Sequence, residues 1–307
     1  MSRAEEFQEL RPLLFSIAYR ILGSVSEAED AVQETWLRYS TSPTEPGSVK
    51  AFLSAVVTRI SIDVLRSARV RREEYVGPWF PEPLLADPYQ DPERSAELAD
   101  SLSMAALVLL ERLSPLERAI FVLREVFDFG FPDVASAVGR SEAACRQLAV
   151  RARRHMVAGR PRFEADGKER DELASRFFDA LREGDVAGLQ NLLAADVSMV
   201  GDGGGKAPQL AKAVIGAQNV ARLLASVFPQ MALIGVTGEA REINGQPGAI
   251  FRDRDGKVLH TLALDVLDGQ IQTIRVVINP DKLGHVGPVA DAWAIDREVR
   301  QARRPTE

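Results

Sequence analysis

The sequence is poor in the residues that hold metals and cross-links. One cysteine, Cys145, among 307 residues rules out an internal disulfide framework and a cysteine-based metal cluster. Three histidines are too few for a dedicated zinc site, and no cofactor is expected. No apolar run approaches a membrane span, and MSRAEEFQEL lacks the apolar core of a signal peptide. A cytoplasmic chain with no membrane partner is expected. Positive charge is scarce as well: 38 lysines and arginines face 44 acids, for a net charge of −6. Any nucleic-acid surface on such a chain must be local. The remaining composition, 46% hydrophobic and 27% charged, is that of a globular protein, long enough for two or three domains.

The basic residues gather at 114–156, SPLERAIFVLREVFDFGFPDVASAVGRSEAACRQLAVRARRHM, around which the chain is organised. Phe131–Val138 reads as a short helix with Pro132 in its first turn and Val134, Ala135 and Val138 inward. Gly139 supplies a sharp turn and Ser141 caps the next helix. There Cys145, Leu148, Ala152 and Met156 form one apolar stripe. Glu142, Arg146, Gln147, Arg151, Arg153 and Arg154 occupy the other faces. Five arginines against one glutamate over 140–154 give this helix a net charge of +4. The pattern is a helix-turn-helix whose second helix suits DNA: arginine reads guanine edges or phosphates, and glutamine pairs with adenine.

Upstream, Phe7, Leu10, Leu13, Leu14, Ile17 and Ile21 mark an amphipathic helix stopped by Gly23. Ser26 and Glu29 match a capping box for a second helix. Its exposed side is acidic, and Val32, Trp36 and Tyr39 are its candidate buried stripe. Those acids suit either a helix-start dipole or a docking face for a basic partner. A third helix over 48–67 turns Phe52, Val56, Ile60 and Val64 inward, with Lys50, Ser54, Thr58, Arg59, Asp63 and Arg66 mostly outward. It runs into Arg69, Arg71 and Arg72. Residues 73–100 then hold five prolines and eight acids against one arginine, a stiff linker of net charge −7. WFPEPL within it carries large apolar side chains that a free linker would not, so this stretch is expected to dock.

The VQETWL helix, the F-x-x-x-V-V-x-R-x-x-x-D-x-L-R helix, the linker and LSPLER…FPDVASAVGRSEAACRQLAVRARR stand in the order of an extracytoplasmic-function (ECF) sigma factor, which the chain resembles. The resemblance implies promoter-directed transcription initiation, with bacterial core RNA polymerase and promoter DNA as partners. By position it implies that Asp30, Gln33, Glu34 and Trp36 dock the polymerase. Lys50, Phe52, Thr58, Arg59, Asp63 and Arg66 would meet and melt the −10 element. Ser141, Glu142, Arg146, Gln147, Arg151, Arg153 and Arg154 would face the −35 element. The linker would thread toward the polymerase cleft.

The chain continues beyond the helix-turn-helix for about half its length again. Residues 159–168 read as a polar hinge, 171–183 and 216–227 as helices, and 197–200 as a strand ending in GDGGGK. Turn signals at Asn244-Gly245, Asp255-Gly256 and Asp268-Gly269 separate four strands of an antiparallel meander. This part resembles the SnoaL-like, ketosteroid-isomerase-like cone. WFPEPL with DGGGK and NPDKL resembles the ECF group that carries such an extension, in which the extension regulates the sigma factor. That resemblance implies an interdomain, regulatory role for Trp79, Phe80, Pro81, Glu82 and Pro83, for Asp202, Gly203, Gly204, Gly205 and Lys206, and for Asn279, Pro280, Asp281, Lys282 and Leu283.

The expected architecture is thus multidomain. Two all-α domains, a three-helix region 2 at 1–73 and a helix-turn-helix region 4 at 102–158, flank the linker at 74–101. A C-terminal α+β SnoaL-like cone with a curved antiparallel sheet covers 169–290, and 291–307 is a tail. His260 shares a strand face with Val258, Leu262, Leu264 and Val266, toward the cone interior. No titratable pair reads as base and proton donor, so catalysis is not expected, and a small ligand in the cone is the more plausible use of it. The competing reading is a small-molecule-binding or isomerase domain of the SnoaL type fused to a helix-turn-helix regulator. A lone operator binder is disfavoured, because one basic helix on an acidic chain offers few phosphate contacts.

Overall fold

The computed structural model describes residues 2–43, 45–91, 93, 95–159, 167–208 and 212–302. The chain divides into two units: Met1–Glu74 with Asp87–Arg160, and Tyr75–Ala86 with Pro161–Glu307. The linker is therefore not one piece. Its first half belongs with the C-terminal part and its second half with the helices. Residues 160–166, most of the expected hinge, lie outside the described residues.

In the first unit, α1 (Arg3–Leu22) opens with a capping box between Ser2 and Glu5 and stops at Gly23, whose φ of +71° ends the helix. The next helix, α2 (Val25–Ser40), starts two residues before the expected box. Ser24 Oγ accepts from the Glu27 amide at 3.1 Å, because Gly23 already breaks the chain there. The third helix, α3 (Val49–Glu73), packs on α1 and α2. After the linker come α4 (Ser95–Leu102), α5 (Met104–Leu110) and α6 (Pro115–Phe121). A second capping box, Ser114 with Glu117, opens α6, and a wider helical turn at Val122–Val126 closes it. The pair α7 (Phe131–Val138) and α8 (Glu142–Gly159) completes the unit, and α7 and α6 both lie against α3.

The second unit adds α9 (Gly167–Glu183), α10 (Val186–Leu192), β1 (Leu193–Asp202), β2 (Val214–Ile215) and α11 (Ala217–Leu233). Strands β3 (Thr237–Ile243), β4 (Gln246–Arg252), β5 (Val258–Leu267) and β6 (Gln270–Val277) form the expected antiparallel meander. Asn244 and Asp268 have φ of +53° and +50° ahead of Gly245 and Gly269, the backbone of tight hairpin turns. The sheet extends further than the turn signals show. Its order is β2-β1-β6-β5-β4-β3, and β1 runs parallel to β6, so the sheet is mixed. Pairing with β1 covers what would otherwise be the unpaired edge of β6. The expected tail forms α12 (Ala292–Ala302), which buries Ala292, Ile295 and Val299. Helices α9 to α12 pack on one face of the sheet around Phe177, Leu189, Val220, Leu262, Leu264 and Ile274.

Candidate functional site

The helix-turn-helix takes its shape from a few local choices. Gly139 at φ +65° lets its own amide and that of Arg140 both reach the Ala135 carbonyl. Ser141 Oγ then accepts from the Ala144 amide at 3.2 Å and starts α8. Cys145, Ala149, Ala152 and Met156 are buried and Leu148 half-buried, as the stripe requires. Arg146, Gln147, Arg151, Arg153 and Arg154 are all exposed. Arg146 reaches Glu142 at 2.6 Å and lies 5.0 Å from the Phe131 ring centre. Arg153 grips Glu125 at 2.7 Å, which raises its pKa further, and Arg151 stands 3.7 Å from Glu117. Among the described residues, Gln147 and Arg154 have no side-chain partner.

The α3 residues fare differently. Lys50 sits 5.8 Å from the Phe129 ring centre, and half-buried Phe52 lies 6.1 Å from Tyr39. Arg59 donates to the carbonyls of Ala137 at 2.9 Å and Ser136 at 2.5 Å, capping the C-terminal end of α7. Asp63 and Arg66 pair with each other at the surface. Thr58 and Ser54 correct the expectation: both are buried, and neither hydroxyl has a partner among the described residues. The four-residue period of α3 marks the face against α1 and α2, but α6 and α7 cover a second face. The side chains of Arg69, Arg71 and Arg72 lie outside the described residues.

On α2, Asp30 and Gln33 are exposed, Glu34 pairs with Arg38 at 2.8 Å, and Trp36 packs 5.1 Å from Phe7. Phe7, Arg11, Glu29, Gln33 and Trp36 line a cleft of about 270 Å³, in which Glu29 is paired with Arg11 at 2.5 Å. Beneath these surfaces Arg20 is fully buried. It donates to Asp87 Oδ2, Ser101 Oγ and the Leu98 carbonyl, each at 2.9 Å. Buried Arg118 in turn donates to the Arg20 carbonyl at 2.9 Å.

In the second unit, Tyr75–Ala86 is a strap seated on the C-terminal domain. Asp202 ends β1 with no exposed surface. Its carboxylate accepts from the Phe80 amide at 2.8 Å, from Lys282 Nζ at 2.7 Å and from the Tyr75 hydroxyl. Burial, then the neighbouring carboxylate, raises the Tyr75 pKa, so the phenol remains a donor. Lys282 also donates to the Phe80 carbonyl and lies over the rings of Tyr75 and Trp79, 4.8 and 4.1 Å from their centres. Asn279 Nδ2 donates to the Tyr75 hydroxyl at 2.7 Å, while its Oδ1 caps the short turn Pro280–Lys282. Further along, Asn244 accepts from the Leu84 amide at 3.0 Å and donates its own amide to the Leu84 carbonyl at 2.7 Å. His285 Nε2 is 2.6 Å from the Pro83 carbonyl and its other nitrogen 3.8 Å from Glu82. Lys206 pairs with Asp281 at 2.5 Å.

The structure therefore gathers Trp79 to Pro83, the DGGGK loop and NPDKL in one place. It adds Tyr75, Asn244 and His285, which sequence reasoning missed. Asn244 was visible only as a turn signal. Tyr75 and His285 carry no motif of their own.

Residues 7–71 match the family Sigma-70 region 2, and residues 103–156 match Sigma-70, region 4. The ECF RNA polymerase sigma factor SigJ of Mycobacterium tuberculosis is 38% identical over 287 residues, spanning 90% of this chain and 92% of that protein. The probable ECF RNA polymerase sigma factor SigI of the same species is 29% identical over 276 residues, 89% of this chain and 92% of its own. The crystal structure of Mycobacterium tuberculosis SigJ aligns with a TM-score of 0.73 at 34% identity, covering 94% of this chain and all of that one. No described helix is long and apolar enough to cross a membrane. With a full-length relationship at this identity, and both sigma domains in order, the chain belongs to the ECF RNA polymerase sigma factors.

Proposed function

We propose that the C-terminal domain of this sigma factor controls it by holding the region 2–region 4 linker. Membership of the family carries binding of core RNA polymerase and promoter DNA, and with it a cytoplasmic place of action. The assignments to single residues are ours. Asp30, Gln33, Glu34 and Trp36 dock polymerase, with Gln33 and Trp36 on the rim of the cleft. The exposed face of α8 reads the −35 element, with Arg146 and Gln147 toward bases and Arg151, Arg153 and Arg154 toward phosphates or bases. On α3, Lys50, Arg59, Asp63 and Arg66 serve the −10 element, whereas buried Thr58 serves packing.

The observation that carries the regulatory reading is the buried Asp202–Lys282 pair closing on Phe80, the middle of the strap. A linker segment held there over twelve residues is not at the same time in a polymerase channel. A small ligand in the C-terminal domain would be the signal that shifts the balance.

Run-off transcription with bacterial core polymerase tests this, comparing the full chain, a truncation near Arg160 and Asp202→Ala. Core-dependent initiation whose level differs among the three is the expected result, and the sign of the difference tells which way the domain acts. Equal output from all three would leave the domain without a controlling role.

A further inference from the structure

A cavity of about 280 Å³ lies inside the C-terminal unit, between the inner sheet face, α11 and α12. Its walls are apolar: Met199 and Val276 from the sheet, Leu224 and Phe228 from α11, Ile295 and Val299 from α12. One polar group faces it from the interior, His260, which is 5% exposed. The imidazole stacks on Phe251 at 4.5 Å and meets the edge of Phe228 at 6.2 Å. Among the described residues no protein group hydrogen-bonds its nitrogens. Burial holds this ring neutral, with its pKa down from 6.5 to about 3, so it offers one donor and one acceptor at neutral pH. At the rim, Arg300 is already paired with Asp296 at 2.7 Å. No unpaired cation therefore meets an anionic ligand among the described residues.

We propose that this cavity binds an uncharged, largely apolar small molecule carrying one hydroxyl or carbonyl group, oriented by His260 and roofed by α12. A site with apolar walls and one convergent polar group selects this chemistry. A buried imidazole with unmade hydrogen bonds rewards a ligand that makes them.

The cavity and the strap seat share their strands. Gly201 of β1 and Ile278, just past β6, line the cavity, while their chain neighbours Asp202 and Asn279 hydrogen-bond to the strap. On the roof, Trp293 Nε1 donates to the Lys206 carbonyl at 3.0 Å, at the end of the DGGGK loop. Occupancy thus reaches the strap through two strands and one helix. This coupling rests on the regulatory reading above, but the binding does not.

The test uses the full chain and three probes: 2-naphthol, naphthalene and 2-naphthoate, read by NMR titration. Saturable binding of 2-naphthol at one site per chain is expected, with 2-naphthoate weaker. Val227→Trp, and separately Leu223→Trp at the mouth, fill the cavity and should weaken 2-naphthol by at least about tenfold; circular dichroism checks that each variant folds. His260→Phe keeps the stacked ring but removes the hydrogen bond. It should weaken 2-naphthol by about tenfold and leave naphthalene within about twofold. Bound 2-naphthol should also change amide exchange of Phe80 and Leu84 severalfold. No saturable binding, or binding indifferent to both filling variants, overturns the site. Tighter binding of 2-naphthoate overturns the ligand class, and unchanged exchange overturns the coupling. None of these readouts involves transcription, so their failure leaves the controlling role of the domain standing on its own test.

Discussion

The two halves of the linker are joined in one Pro-rich stretch and are held by opposite means. In Tyr75–Ala86 the linker supplies mainly backbone: the Phe80 and Leu84 amides and the carbonyls of Phe80, Pro83 and Leu84. The charges come from the domain, as Asp202 and Lys282. From Asp87 onward the linker supplies the charge and the helices the receptor, with Arg20 and Ser16 closing on one carboxylate. A net charge of −7 over 73–100 conceals this division. What the first half contributes is shape, a run of prolines and aromatics that leaves chosen backbone groups free to bond. What the second contributes is a single acid in the right place.

That contrast can be broken by experiment. The largest effect is expected for Asp202→Ala, which leaves Lys282 buried without its carboxylate. Breaking a buried pair this way costs about 3–5 kcal/mol, read as urea unfolding of the C-terminal unit. Residues 75–86 should become open to protease at the same time. Arg20→Met refills the volume but leaves Asp87 without its cation, and Asp87 keeps Ser16 and is partly solvated. A loss of about 2–3 kcal/mol is expected, confined to the helical unit. If either substitution loosened both halves equally, the division at Ala86 would be wrong.

The next effect separates the units by pH. The unfolded chain protonates His260 near pH 6.5, whereas burial keeps the folded imidazole neutral down to about pH 3. Stability is complete above pH 6.5 and falls as pH drops, by about 2 kcal/mol between pH 6.5 and 5. Urea titrations at the two pH values should show this in the C-terminal unit, and His260→Phe should remove it. Smallest is Arg146→Ala, with a loss of promoter discrimination at the lower end of about 1–3 kcal/mol, since Arg146 must first leave Glu142. Unchanged preference across −35 variants would remove Arg146 from base reading.

Much of this was legible because it is local. The turn at Gly139, the cap at Ser141 and the stripe through Cys145 need only neighbours in sequence, as do the turns at Asn244 and Asp268. WFPEPL betrayed its docking through apolar side chains that solvent would not favour. Thr58 was misread because α3 packs against α6 and α7, far along the chain, as well as against α1 and α2, and a helical period cannot register that second covering. Ser24 displaced Ser26 as the cap because Gly23 sets where the backbone turns. The parallel pairing of β1 with β6 left no turn signal, since no hairpin joins them. Likewise α12 hid in a polar stretch whose apolar residues make sense only against the cavity wall.

The DGGGK loop has a consequence for genetics. Gly204 and Gly205 have φ of +57° and +70°. A methyl group on Gly204 would come within 2.7 Å of the Tyr75 hydroxyl and closer still to the Asn279 amide, and one on Gly205 within 3.3 Å of Val76. The strap fits because two side chains are missing. A colony screen for altered reporter expression should therefore return changes to alanine, serine or valine at these two codons, alleles that gain a few atoms, keep every charge and unseat the linker by bulk and backbone strain together.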